Sequence, residues 1–132
     1  MLKPLEICIL AAGKGTRMKS SQSKVLQTLA GKPLLGHILD TAEALQPQQI
    51  HVVVGPEGTQ LQDAFADRDN INWVVQSDRF GTGHAVMQAA PFFSGDAPVL
   101  ILLGDAPLIR AATLSEMVTT EADLLVLTVK MD

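Results

Sequence analysis

The sequence predicts an α/β fold, a doubly wound and mainly parallel sheet with helices on both faces. Apolar runs of strand length recur along the 132 residues, and each run is mostly continuous rather than alternating. Such runs are typical of strands that are covered on both faces. Segments with helical spacing separate the runs, and this alternation favours a parallel sheet with right-handed crossovers in one compact domain.

The predicted elements follow one another as strand and helix along the chain. In the first helix the apolar side chains fall on one stripe, and Pro33 stands where a first helical turn tolerates proline. The last strand has no closing helix behind it, so we expect the sheet to be part of something longer. The predicted strands are 6–10, 50–54, 71–75, 99–103 and 124–129, and the predicted helices are 33–45, 57–66, 81–90 and 111–121.

Composition and charge exclude several classes of protein. With 47% apolar and 18% charged residues, the chain is too hydrophobic to be disordered, and its apolar runs are far shorter than the roughly 20 residues that span a bilayer. A net charge of -4 without a cluster of Lys and Arg argues against a nucleic-acid partner. The start of the chain has no signal-peptide pattern and the lone Cys8 fits a packed core thiol, so we expect a soluble cytoplasmic protein.

Residues 10–18, LAAGKGTRM, predict a phosphate-binding loop after the first strand. Its glycines let backbone N–H groups come close to a ligand, and Lys14 and Arg17 add positive charge. The spacing of Gly13 and Gly15 excludes a Walker A loop, and Met18 stands where a dinucleotide-binding fingerprint requires Gly or Ala. A plain tight turn between strand and helix stays open as the alternative at this point.

Two further clusters follow predicted strands at the same edge of the sheet, because the carboxyl ends of parallel strands share one edge. Asp105 comes just after residues 99–103. It either holds Mg²⁺ together with phosphate oxygens or caps the helix that begins near Ala111. Gln76 follows residues 71–75 and carries an amide that can read the edge of a base.

The stretch GTGH, residues 81–84, opens the third predicted helix. The N-terminus of this helix can face an anion, and its backbone groups can face a nucleobase. We expect His84 to be a helix-start residue rather than a catalyst, because no carboxylate partner stands near it in the sequence. Lys24, taken by itself, has the pattern of a surface lysine.

Taken together, these motifs resemble those of sugar-1-phosphate nucleotidyltransferases. The chain carries LAAGKGTRM followed by KVL, then Q…GTGHAV and LLGDAPLI, together with TLAGKPLLGHIL and QAAPFF. It is most similar to the N-terminal uridyltransferase region of the bacterial bifunctional N-acetylglucosamine-1-phosphate uridyltransferase/glucosamine-1-phosphate acetyltransferases. The likeness covers essentially all 132 residues. It implies a Rossmann-like sheet of the nucleotide-diphospho-sugar transferase type, truncated in this chain.

The resemblance implies a reaction, a cofactor and a set of site residues. UTP and N-acetylglucosamine 1-phosphate would give pyrophosphate and UDP-N-acetylglucosamine, a precursor for peptidoglycan and lipopolysaccharide, with Mg²⁺ as the cofactor. Arg17 and Lys24 would be the catalytic residues that contact the phosphates, and Asp105 would bind the metal. The nucleotide would be held by Leu10, Ala11, Ala12, Gly13, Gly15, Lys24, Gln76, Gly81 and Thr82.

The same resemblance implies that residues 1–132 are the N-terminal nucleotide-binding part of a longer enzyme. The rest of the sugar-binding region would lie outside this chain, as would a C-terminal left-handed β-helix through which full-length members form homotrimers. If Asp132 is the natural end, we expect nucleotide binding with weak or absent turnover. The alternatives are a non-catalytic nucleotide-binding module and a nucleotidyltransferase for another sugar phosphate.

Overall fold

The computed structural model describes residues 4–13, 24–78 and 80–131. Strands and helices alternate along these residues, with a short hairpin before the first helix. In chain order the elements are β1 (Glu6–Ala11), β2 (Thr28–Leu29), β3 (Lys32–Pro33), α1 (Leu34–Ala44), β4 (Gln49–Val54), α2 (Thr59–Ala64), β5 (Ile71–Val75), α3 (Thr82–Ala89), β6 (Val99–Leu103) and α4 (Ala111–Thr119), with 3₁₀ turns at Lys24–Leu26 and Ala90–Phe92. No helix within these ranges is long and apolar enough to cross a bilayer.

Four parallel strands form the main sheet in the order β5-β4-β1-β6, which confirms the predicted parallel sheet. Strand β1 is central, because Ile7 stands opposite Ile50 of β4 on one side and Leu100 of β6 on the other. The Ile, Val and Leu side chains of β1 and β4 are largely buried on both sides of the sheet, as continuous apolar runs predict, whereas β6 exposes Ile101 and Leu103. The antiparallel hairpin of β2 and β3 leads directly into α1.

Helices cover the sheet on both faces. The face next to α3 buries a small cluster in which Cys8, Val53 and Val74 pack with Ala85 and Ala89 of that helix. Burial raises the pKa of the Cys8 thiol to about 11, so this residue is the inert core thiol that the sequence predicts. The other face packs against α1, α2 and α4 in a larger aliphatic core, whose fully buried members include Ile7, Ile9, Leu35, Ile38, Leu39, Ile50, Val52 and Val54.

The prediction of a fifth strand at residues 124–129 is wrong. These residues form no strand, and Leu124 and Val129 are each 83% exposed. An apolar run becomes a strand only where a neighbouring strand supplies partners for its backbone hydrogen bonds. Residues 124–127 do not pair with β6, and an open cavity of about 560 Å³ lies between them and that strand.

A buried polar network lies at the amino end of the sheet, on the face that carries α3. Glu6 and His51 are 2% and 1% exposed, and His51 Nε2 lies 3.1 Å from Glu6 Oε1. Ser94 donates to Glu6 Oε2 from its backbone N–H at 2.9 Å and from its hydroxyl at 2.7 Å, and Asn72 Nδ2 lies 3.0 Å from His51 Nδ1. Burial alone would raise the pKa of Glu6, but the hydrogen bonds from Ser94 and His51 hold that pKa below its ordinary value. The carboxylate is therefore charged and fully partnered in the folded protein.

Replacing Glu6 by Gln should destabilise the fold and change its response to acid. The amide cannot accept every bond that the carboxylate accepts, so we expect the free energy of unfolding at pH 7 to fall by about 1–3 kcal/mol. Because folding lowers the pKa of Glu6, its contribution is complete above the unfolded value of about 4.3 and is lost as the pH falls through the folded value. Urea denaturation from pH 7 to pH 3 should give a flatter stability curve for Glu6→Gln than for the wild type.

The matched control for this experiment is Glu116→Gln, on the exposed surface of α4. It should keep the wild-type curve, because exposed substitutions away from networks usually change stability by less than about 0.5 kcal/mol. Identical pH dependence in Glu6→Gln and the wild type would contradict the role given to the buried network.

Candidate functional site

A cleft of about 420 Å³ opens at the carboxyl edge of the sheet, where β1, β5 and β6 end. Three groups of predicted site residues line it. The side next to β1 consists of Leu10, Ala11, Ala12 and Gly13, the side next to α3 of Gln76, Gly81 and Thr82, and the third side of Lys24 and Asp105. Gly15 and Arg17 lie outside the described residues. All the other predicted site residues therefore lie at this one cleft.

The close approach of two strand ends brings the segment that carries Asp105 next to Leu10, near the end of β1. The backbone N–H of Gly104, directly after β6, donates to the carbonyl oxygen of Leu10 at 2.9 Å. A β-carbon at Gly104 would lie 3.0 Å from that oxygen and 3.1 Å from Val25 Cγ1. The absence of a side chain at Gly104 thus permits the close approach of β1 and the segment that carries Asp105.

Lys24 and Asp105 form an ion pair at the cleft, with 2.9 Å between Lys24 Nζ and Asp105 Oδ2. Lys24 begins the 3₁₀ turn whose next residues, Val25 and Leu26, are buried, so the core anchors the turn that carries the ammonium group. The two charged side chains are 40% and 39% exposed, and pairs this exposed add about 0–1 kcal/mol to stability. The pair is therefore accessible to a charged ligand, and Lys24 is not an isolated surface lysine.

Asp105 supplies the only carboxylate that lines the cleft among the residues with assigned positions. It does not cap the helix near Ala111, because α4 has Arg110 at its N-cap and receives no side-chain hydrogen bond there from any described residue. Within the described ranges no three or more His, Cys, Asp or Glu side chains gather as a metal cage. Mg²⁺ commonly takes one or two carboxylates and completes its octahedron with phosphate and water. The donors present thus fit a divalent ion that binds together with a phosphate ligand.

Gln76 is held firmly where β5 ends. Its backbone N–H donates to the carbonyl of Val54 at 2.7 Å and so continues the pairing of β4 and β5 by one residue. The residue is 3% exposed, and its Nε2 donates to the carbonyl of Gly81 at 3.3 Å. Gly81 stands at the N-cap of α3 with φ of 102°, a conformation that favours glycine. The amide of Gln76 and the first turn of α3 thus line the same side of the cleft.

His84 lies in the first turn of α3, as expected, and it contacts two carboxamides. Its Nδ1 lies 2.8 Å from Gln76 Nε2, and its Nε2 lies 3.2 Å from the side-chain nitrogen of Gln88. The ring of Phe80 packs edge-on against the imidazole, with 5.1 Å between the ring centroids. Sequence reasoning missed the contact with Gln76, because the two residues belong to different elements. The spacing of His84 and Gln88, one helical turn apart, indicates only that these two side chains can contact each other.

Comparison with known families and proteins places this cleft in context. A sequence model of the MobA-like NTP transferase domain matches residues 7–130. The chain belongs to this family. The resemblance that the motifs indicate is confirmed by curated relatives named bifunctional protein GlmU. The relative from Xanthomonas euvesicatoria is 48% identical over 131 residues and that from Marinobacter nauticus 50% over 133, each match covering 99% of this chain and 29% of the relative. This MobA-like NTP transferase chain thus spans less than a third of their length.

Solved structures confirm the fold class of this MobA-like NTP transferase. Rv0371c from Mycobacterium tuberculosis superimposes with a TM-score of 0.75 at 23% identity, covering 90% of this chain and 61% of that one. UDP-glucose pyrophosphorylase, solved in complex with UDP-glucose, gives a TM-score of 0.73 at 21% identity over 90% of this chain and 52% of that one. Rv0371c has also been solved in complex with manganese. At these identities the likeness is one of fold.

Replacing Gly104 by Ala should destabilise this transferase fold. The new β-carbon would press on the carbonyl oxygen of Leu10 at 3.0 Å, and overpacking of this kind typically costs about 1–3 kcal/mol. Urea denaturation should therefore show a lower free energy of unfolding. The matched control is Gly83→Ala in α3, where a β-carbon meets no atom of the described part of the chain within 4 Å and alanine favours the helix by up to about 1 kcal/mol. Equal losses in the two variants would contradict the close approach at Gly104.

Proposed function

We propose that this chain binds UTP and transfers its uridylyl group to N-acetylglucosamine 1-phosphate, forming UDP-N-acetylglucosamine and pyrophosphate. One observation carries the proposal: a single cleft combines the tethered amide of Gln76, the backbone after β1 and the charged pair of Lys24 and Asp105. The 48% identity to a bifunctional protein GlmU supports the same chemistry. Because the chain matches 29% of that relative, we further propose that it is the nucleotide-binding part of a longer transferase.

The side of the cleft next to α3 suits a nucleobase. Gln76 is buried and bonded to the Gly81 carbonyl, so it can recognise a base without losing further side-chain freedom. Thr82 begins α3, and the free N–H groups at a helix N-terminus attract partial negative charge such as that of a base carbonyl. Gln76, Gly81 and Thr82 would together select uracil.

The side next to β1 suits the phosphates of a nucleotide. The backbone at Gly13 is exposed, and a β-carbon there would meet none of the described residues within 4 Å, so these residues leave the main chain open to a phosphate. Lys24 would then exchange the carboxylate of Asp105 for a phosphate oxygen. By resemblance, Gly15 and Arg17 would extend this phosphate-binding surface.

The reaction requires positioning and charge neutralisation more than covalent help from the protein. An oxygen of the sugar phosphate attacks the α-phosphorus of UTP, a new P–O bond forms, and the bond between the α-phosphorus and the bridging oxygen breaks to release pyrophosphate. Lys24 and Arg17 would reduce the repulsion between the two anions as they meet. A divalent metal held by Asp105 would supply further positive charge to the phosphate oxygens.

The function is tested by combining ligand binding with product release. With Mg²⁺ present, UTP should raise the melting temperature more than CTP or GTP does, because uracil differs from cytosine and guanine in the hydrogen-bonding groups that it would present to the side next to α3. Pyrophosphate release should require both UTP and N-acetylglucosamine 1-phosphate. Stabilisation by UTP without pyrophosphate from any sugar phosphate would instead identify a nucleotide-binding module. Faster release with glucose 1-phosphate would identify a transferase for another sugar.

Replacing Lys24 by Gln should weaken UTP binding and leave the fold intact. The pair with Asp105 is exposed, so we expect the free energy of unfolding to change by less than about 1 kcal/mol. Loss of a charge-assisted bond to phosphate should weaken affinity by about 10- to 100-fold, as measured by isothermal titration calorimetry. The matched control is Lys32→Gln, since Lys32 pairs with Asp40 of α1 instead. If both variants bind UTP like the wild type, Lys24 does not contact phosphate.

A further inference from the structure

The side chain of Gln76 has both of its amide hydrogens directed at protein acceptors. Its Nε2 lies 3.3 Å from the carbonyl oxygen of Gly81 and 2.8 Å from Nδ1 of His84. A carboxamide nitrogen carries two hydrogens, so it has none left to donate to a ligand. The Gly81 carbonyl can only accept, which requires that the nitrogen and not the oxygen of Gln76 lies against it. The group that Gln76 offers to a base at the cleft is therefore its carbonyl oxygen.

His84 supplies the shorter of the two bonds that hold this carboxamide. Nδ1 can accept the bond only while it carries no proton. The imidazole is itself held in place, because the ring of Phe80 packs against it edge-on. Gln76 is 3% exposed, so a rotated carboxamide would leave buried polar atoms without partners, which is costly. The orientation of the amide thus depends on His84.

We propose that His84 is a positioning residue for base recognition, which holds the carbonyl oxygen of Gln76 ready to accept from a base with a ring N–H. Uracil has a hydrogen on N3 that can donate to this oxygen. Cytosine has an unprotonated N3, so two acceptors would face each other and neither would gain a hydrogen bond. The inference rests on the proposed function, since it concerns how the same cleft distinguishes UTP from CTP.

The test compares three replacements of His84 by isothermal titration calorimetry with UTP and with CTP in the presence of Mg²⁺. Asn can place a carbonyl oxygen near the position of Nδ1 and so keeps the acceptor, whereas Gln carries its oxygen one bond further out and Ala has none. The preference for UTP over CTP should fall about tenfold in His84→Ala and in His84→Gln, as for the loss of one directed hydrogen bond. In His84→Asn it should stay within about threefold of the wild-type value.

A matched control is His37→Ala on α1, where the imidazole bonds the Leu29 carbonyl at 2.7 Å outside the cleft. This variant should keep the wild-type preference. If His84 were only a structural residue, the His84 variants would melt at lower temperatures with an unchanged preference, and that result would overturn the proposal. Should His84→Ala fail to fold, the UTP preferences of His84→Asn and His84→Gln are compared instead. Equal preferences in these two variants would overturn the proposal. Failure of the proposed function would give a different result, because the wild type itself would then show no preference for UTP over CTP. That result would overturn both the proposed function and the role of His84.

Discussion

The pairing of β1 with a strand on each side is the constraint on which the cleft depends. In this parallel arrangement Ile9 stands opposite Val52 of β4 and Leu102 of β6. Since parallel strands end at the same edge, the segment after each strand is delivered to one side of the sheet. Lys24 and Asp105, which are 81 positions apart in the chain, thereby come within 2.9 Å of each other. The site exists because the core fixes where the strands stop.

The two ends of the sheet treat polar groups in opposite ways. At the amino end, Glu6 and His51 are almost completely buried and bond to each other. At the carboxyl end, Lys24 and Asp105 pair where solvent reaches both. A satisfied buried network makes its surroundings rigid, whereas an exposed pair can exchange a protein partner for a ligand at small cost. The polar groups at the amino end of the sheet therefore stabilise the fold, whereas those at the carboxyl end are available to a ligand.

The sequence predicts which residues stand at the ends of strands better than it predicts their contacts. The apolar runs 6–10 and 99–103 locate β1 and β6. Strand β1 is buried on both faces, as such a run indicates, whereas β6 leaves Ile101 and Leu103 about half exposed. The run at 124–129 has the same character and still forms no strand, since composition does not supply a neighbour for hydrogen bonding. The contact of Gln76 with His84 was equally hidden, because it depends on how the first turn of α3 lies against the end of β5.

The missing side chain at Gly104 also governs how segments can be exchanged between relatives. The segment after β6 meets the end of β1 backbone to backbone through the bond from Gly104 to Leu10, where a β-carbon at Gly104 would lie only 3.0 Å from the Leu10 carbonyl oxygen. A chimera that imports one loop alone would have to fit its main chain against a surface shaped for another sequence. Asp105 follows that contact directly and would move with it. For protein engineering, the two segments form one cassette that is best transplanted as a unit.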